Sequence, residues 1–206
     1  MTDDEDEAWS PARNPYAIAV SQSWWAFHAV QLFASNARSS SNHAQQIYAR
    51  QIFGQVRALR RCAEMQAKEL AGLGVSDIDR ARLDRAIEDF DVAVPDARHA
   101  RDVLEHFDEY ARGEGRLQRQ TIRELGIDVY EAAAMYWGGG YDPATEQITE
   151  GPFVLNVPLA VDASERLHLA IYSAGRAVDA SGHKSHGGTT SPASGCDAGG
   201  TSRDSG

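Results

Sequence analysis

The chain has 206 residues, enough for one ordinary core, and its 30 acidic against 20 basic residues give a formal charge of −10. That balance excludes a protein that grips long nucleic acid through a broad Lys/Arg surface, but it leaves room for a local phosphate pocket. Two cysteines, Cys62 in a helical pattern and Cys196 in a polar tail, imply no disulfide framework and fit a reducing, cytoplasmic setting.

Residues 1–12 hold Asp3, Asp4, Glu5, Asp6 and Glu7 and a single aromatic, Trp9, so they are expected to form a disordered acidic arm. The start is acidic where a secretory signal would be basic. The apolar stretch from Ala17 to Ala37 is interrupted by Ser21, Gln22, Ser23, His28, Gln31 and Ser35, and neither export nor membrane insertion is expected. From Pro15 to Arg38 the residues Ile18, Val20, Trp24, Trp25, Phe27, Val30, Leu32 and Phe33 occupy most of a helical circumference. Such a helix is central to a core or lies in an oligomer interface.

The Ser39-Ser40-Ser41-Asn42 cluster ends that helix and offers caps for a long second one, which runs to Gly72 or Gly74. Gly54 marks a close helix contact or a bend in it. Ser76 with Asp79 opens a third helix, with Leu83, Ile87, Phe90 and Val94 on one face, and Pro95 stops it. Asp96 can cap a fourth, whose stripe Ala100, Val103, Leu104, Phe107 and Ala111 dies out at Gly113 and Gly115. The pattern predicts a mainly α fold: an up-and-down four-helix bundle over residues 13–115. Residues 116–179 are expected to add a small β-hairpin and a C-terminal helix.

In that second part the helical pattern continues to about Leu125. Met135-Tyr136-Trp137, Gln147-Ile148-Thr149 and Phe153-Val154-Leu155 are then strand candidates, with turns at Gly138-Gly139-Gly140 and Asp142-Pro143. Glu131 to Met135 fits a helix equally well. Asp162 and Glu165 resemble the start of the last helix, where Leu167, Ile171, Ala174 and Val178 share a face. Residues 180–206 read as a disordered Gly/Ser-rich tail.

The candidate chemistry lies in Arg101-Asp102-Val103-Leu104-Glu105-His106. A guanidinium can hold a phosphate bidentately and an imidazole can move a proton near neutral pH, the minimum equipment for cleaving RNA without a metal. On one helix the two residues stand about 140° apart around the axis and roughly 7.5 Å along it. Helical side chains lean toward the N-terminus, so a single phosphate could meet both. Arg101 would then stabilise charge on the pentavalent phosphorus, His106 would act as general base or acid, and Asp102 would orient its neighbours.

This stretch resembles the signature of the HEPN (higher eukaryote and prokaryote nucleotide-binding) superfamily, an Arg, then a polar Asn, Asp or His, then a His, on a late helix of an α-bundle. Arg101, Asp102 and His106 match those positions in turn, and the resemblance covers residues 14–115. It implies a homodimer with a composite, metal-independent ribonuclease site, an RNA substrate, and a toxin or defence role with a possible antitoxin partner. The alternative is a non-catalytic helical protein whose Trp-rich first helix and acidic arm mediate assembly. Under it the acids Asp96, Asp102, Glu105, Asp108 and Glu109 make an ordinary solvated face, with Arg101 paired to Glu105 and Arg98 to Asp102.

His99, on the same face as His106, reads as a second proton-transfer group or a surface histidine, and His28 as a hydrogen-bonded core histidine. His183 and His186 are too few for a metal site, the glycine run lacks the setting of a phosphate loop, and neither a metal nor a cofactor is expected.

Overall fold

The computed structural model describes residues 14–181; the acidic arm, and the tail from residue 182 on with His183, His186 and Cys196, lie outside the described residues. The fold is mainly helical, with a small three-stranded antiparallel sheet and a C-terminal helix. Helices α1 (Pro15–Ser39) and α2 (Asn42–Leu70) are separated only by Ser40 and Ser41, a connection so short that they must pack as antiparallel neighbours. Pro15 suits the first turn of α1, where its missing N–H is no loss. In α2 the buried Ala49, Ile52, Phe53, Val56, Leu59, Ala63 and Leu70 recur at helical spacing and form one stripe against α1. Gly54 has no neighbour close enough to restrict a side chain there, so it marks no tight helix contact.

Helix α3 (Asp77–Ala93) begins where Ser76 Oγ accepts the N–H of Asp79 at 3.2 Å, the cap that the sequence announces. Helix α4 (Ala97–Glu105) starts at Asp96, although that side chain makes no capping hydrogen bond. The expected long fourth helix does not run on to Ala111. At His106 the backbone leaves helical geometry (φ −111°, ψ 32°) and a separate turn, α5 (Phe107–Ala111), follows. The apolar stripe fails with it, since Phe107 is 61% exposed. Helix α6 (Arg116–Leu125) follows and ends at Gly126, whose left-handed φ of 65° is easily adopted by glycine.

Further boundaries differ from those expected. Met135 and Tyr136 close helix α7 (Val129–Tyr136) instead of opening a strand. Asp128 and Glu131 cap that helix reciprocally, with the Glu131 N–H donating to Asp128 Oδ1 at 2.8 Å. The first strand is β1 (Gly139–Asp142), drawn partly from the glycine run expected to be a turn; it pairs with β2 (Gln147–Glu150), which pairs with β3 (Phe153–Asn156). The hairpin is therefore a three-stranded meander. At Gly139 (φ 155°) a Cβ would sit 2.2 Å from the Thr149 carbonyl oxygen, so glycine is what lets these strands close up.

Helix α8 (Val157–Ala180) starts five residues before the expected Asp162, because Asn156 Oδ1 takes the Leu159 N–H at 3.0 Å and Pro158 lies in the first turn. Asp162 is inside the helix and pairs with Arg166. The core is continuous across residue 115: Leu167, Ile171, Ala174 and Val178 of α8 join Ala19, Val30, Ile52, Phe53 and Leu83 in one cluster, together with Ile148 and Leu155 of the sheet. A smaller cluster of Val103, Tyr110 and Tyr136 ties α4, α5 and α7.

Candidate functional site

Of the three motif residues, only Asp102 is fixed by a distant partner. Tyr110 Oη donates to Asp102 Oδ2 at 2.9 Å and accepts the Leu117 N–H at 3.4 Å. The fully buried Gln118 holds the same tyrosine from the other side, its Nε2 donating to the Tyr110 carbonyl at 2.7 Å while its Oε1 accepts the Gly115 N–H. Burial, and then the hydrogen bond to Asp102, push the Tyr110 hydroxyl well above its ordinary pKa, so it serves as a donor. Asp102 thus anchors α4 to α5 and α6.

Arg101 pairs with Glu105 one turn on, and His106 Nδ1 lies 3.5 Å from the Glu109 carboxylate. Both side chains remain open to solvent, 31% and 52% exposed. The break at His106 removes the continuous helix that would have leaned the imidazole back over Arg101. Each of the two side chains has its own local carboxylate, and Asp108 adds a further negative charge to the segment, a poor field for a phosphodiester within one chain. The expected Arg98 pairing with Asp102 is not formed, since Asp102 is taken by Tyr110.

The opposite flank of this segment borders a cleft of about 360 Å³ between α2, α5, α7 and the sheet. Val103, Phe107 and Tyr110 line it, and Arg101, Asp102 and His106 do not. On its wall Arg50 Nη2 donates to Glu150 Oε1 at 2.8 Å, joining α2 to β2 across 100 residues. Glu150 is only 7% exposed, and burial raises its carboxyl pKa against the pull of Arg50. No local pattern marks this pair.

A second feature spans α1 and α8. Trp24, Trp25, Leu169 and Tyr172 are 45%, 63%, 53% and 48% exposed and line one groove of about 450 Å³ with His168 at its base. His28, expected in the core, is exposed instead; its ring packs on Trp24 at 4.3 Å and faces Gln31. The buried histidine is His168, stacked on Phe27 at 5.2 Å. Ser23 Oγ lies 2.8 Å from the Val20 carbonyl and shares a hydrogen bond with His168 Nδ1 at 3.0 Å, which ties α1 to α8.

Burial lowers the His168 pKa below its ordinary 6.5, and the nearby charge of His28 adds to the effect. The folded protein therefore binds fewer protons there than the unfolded chain. The resulting stability is fully present above about pH 6.5 and is lost as the pH falls toward the lower folded value. Melting temperatures measured from about pH 5 to about pH 7.5 should rise with pH in the native protein, and His168→Gln should flatten that rise. An unchanged slope in the variant would assign the dependence elsewhere.

Among the described residues no three His, Cys, Asp or Glu side chains converge as ligands for a metal ion, and no helix is long and apolar enough to cross a membrane. The free Cys62 is buried, and burial raises its thiol pKa to about 11, which leaves it a poor nucleophile. Compared with known proteins, the chain matches no family model, no curated protein and no solved structure.

Proposed function

We propose that this chain is a helical assembly protein whose working form is a homodimer or higher homo-oligomer, joined through the aromatic face of α1 and α8. The observation that carries this reading is the composition of α1. In 25 residues it holds a single formal charge, Arg38, yet it exposes Trp24, Trp25 and Leu32. A helix face meant for water carries Lys, Glu or Arg; an uncharged one with two exposed indoles suits a partner.

A second copy is the partner this face fits best. The two indoles form a ridge that also walls the groove, so the same patch offers both an insert and a recess, which is what an isologous two-fold contact requires. Sedimentation equilibrium over a range of concentrations tests the reading. Mass above that of one 22.4 kDa chain supports it, and a monomer at every concentration overturns it.

The HEPN-like ribonuclease is a second reading, supported by the accessibility of Arg101 and His106 on the flank of α4 turned away from the 360 Å³ cleft. It requires a facing copy to bring a second Arg/His pair across the axis, and an antitoxin-like partner would act by covering that flank. It predicts RNA cleavage in EDTA leaving a 2′,3′-cyclic phosphate. Arg101→Ala and His106→Ala should each lower that rate by about 100-fold or more, with the circular dichroism spectrum unchanged. No cleavage, or equal cleavage by both variants, leaves the assembly reading alone.

A further inference from the structure

The most unusual electrostatic arrangement in this acidic protein lies elsewhere, where α2 meets the end of α3 and the start of α4. Arg57, Arg60, Arg98 and His99 line one cleft of about 250 Å³ there, with Glu64 and Asp91 as the only acids on its wall. The two acids are largely committed to Arg60. Asp91 accepts from its Nε at 2.7 Å and from its Nη2 at 2.9 Å, and Glu64 lies 3.1 Å from its Nη1. Arg60 thus has a bidentate partner in Asp91 and an ion-pair partner in Glu64, although its buried Nη1 makes no hydrogen bond.

Arg57 and Arg98 are left over. The Arg57 side chain is 19% exposed and has only the outer reach of Glu64, at 3.8 Å, with no hydrogen bond among the described residues. Arg98 makes neither an ion pair nor a hydrogen bond among them, although Asp102 stands one turn away on the same helix. Burial depresses the Arg57 pKa; Glu64 opposes this, and the charges of Arg98, Arg60 and Arg61 add to it. Two neighbouring guanidiniums, one of them mostly withdrawn from water, repel each other unless an anion lies between them. His99, its ring against Phe153 at 5.6 Å, adds a further nitrogen to the same wall.

We propose that this cleft is a binding site for a phosphate group carried by a small molecule, held between Arg57 and Arg98 with His99 as a third donor. Guanidinium forks match phosphate oxygens bidentately, and the buried Phe90 and Val94 supply an apolar floor beneath them. The cleft falls just below the roughly 300 Å³ at which pockets for whole drug-sized ligands begin, so it suits a headgroup. A polymer backbone is disfavoured by the chain's charge of −10 and by Asp102, Glu105, Asp108 and Glu109 along the neighbouring segment. The inference does not depend on how copies of the chain associate.

Isothermal titration calorimetry of the full chain with inorganic phosphate, at ionic strength held constant with chloride, tests it. One saturable site per chain is expected. Arg57→Gln should weaken binding by about 10-fold or more, and Arg98→Gln, at an exposed position where folding is not at risk, by several-fold. A short single-stranded oligoribonucleotide should not displace the phosphate. Absence of saturable binding, or affinities within about twofold of the native value in both variants, overturns the site. Stoichiometric displacement by the oligonucleotide overturns its assignment to a small molecule.

Discussion

Under the proposed assembly through α1 and α8, Trp25→Glu is expected to give a monomer, with an association constant lower by about 100-fold or more. Trp25 is the most exposed of the large apolar residues on α1 at 63%, and its indole meets Trp24 edge-on at 4.8 Å, so the pair forms one hydrophobic ridge. Truncating a buried tryptophan at the centre of an interface typically costs about 2–4 kcal/mol, and a carboxylate placed there adds its own desolvation. Because the side chain makes little contact within its own chain, the monomer should keep its melting behaviour. Sedimentation velocity and thermal melting together check both halves. A variant that stays associated, or one that unfolds, is incompatible with a free-standing ridge used only for association.

Leu167→Ala is the second large effect. Leu167 of α8 is fully buried in the cluster that also contains Ile52 and Phe53 of α2 and Leu83 of α3. Removing its isobutyl group should lower the unfolding free energy by about 2–5 kcal/mol, the spread depending on how far the neighbours relax into the space. Phe53→Ala, on the other side of the same core, should cost about 3–5 kcal/mol. Both variants should still unfold in a single transition, because no boundary in the core separates residues before and after residue 115. Urea denaturation followed by tryptophan fluorescence and by far-ultraviolet circular dichroism is the check. Two transitions in Leu167→Ala would show α8 to be a separate unit.

Much of the helical framework can be read locally because its signals are local. Ser76 with Asp79 opens α3, and the Arg101 to Glu105 pair lies at the i,i+4 spacing that brings side chains together. Asp162 and Glu165 mislead because an acid pair inside a helix looks the same as one at its start. The real start is Asn156, hidden behind the apolar run Phe153-Val154-Leu155. In the same way the glycines at 138–140 carry no side-chain alternation, so β1 is defined by what β2 offers one edge and by Gln46 of α2, whose side-chain amide exchanges hydrogen bonds with the Tyr141 backbone at the other.

The sites are less legible than the helices, for a geometric reason. Arg50 and Glu150 meet across 100 residues, Arg60 and Asp91 across 31, and Tyr110 reaches Asp102 only because the helix breaks at His106. None of these separations leaves a period in the sequence. The exposure of Trp24 and Trp25 is hidden in another way. Apolar residues occupy most of the α1 circumference, and composition alone cannot say which part of it α2 and α8 cover. The one available signal was the lack of charge along α1, which marks the helix but not its free face.

The position of α8 has a consequence for synthesis. The ribosome delivers α1, α2 and α3 well before residues 157–180, so the emerging chain must hold Ala19, Ile52, Phe53 and Leu83 beside an unfilled trough. The last long helix is the stopper that closes it. A nascent chain of this kind gains its cooperative stability late, when one segment slides into place along three waiting partners.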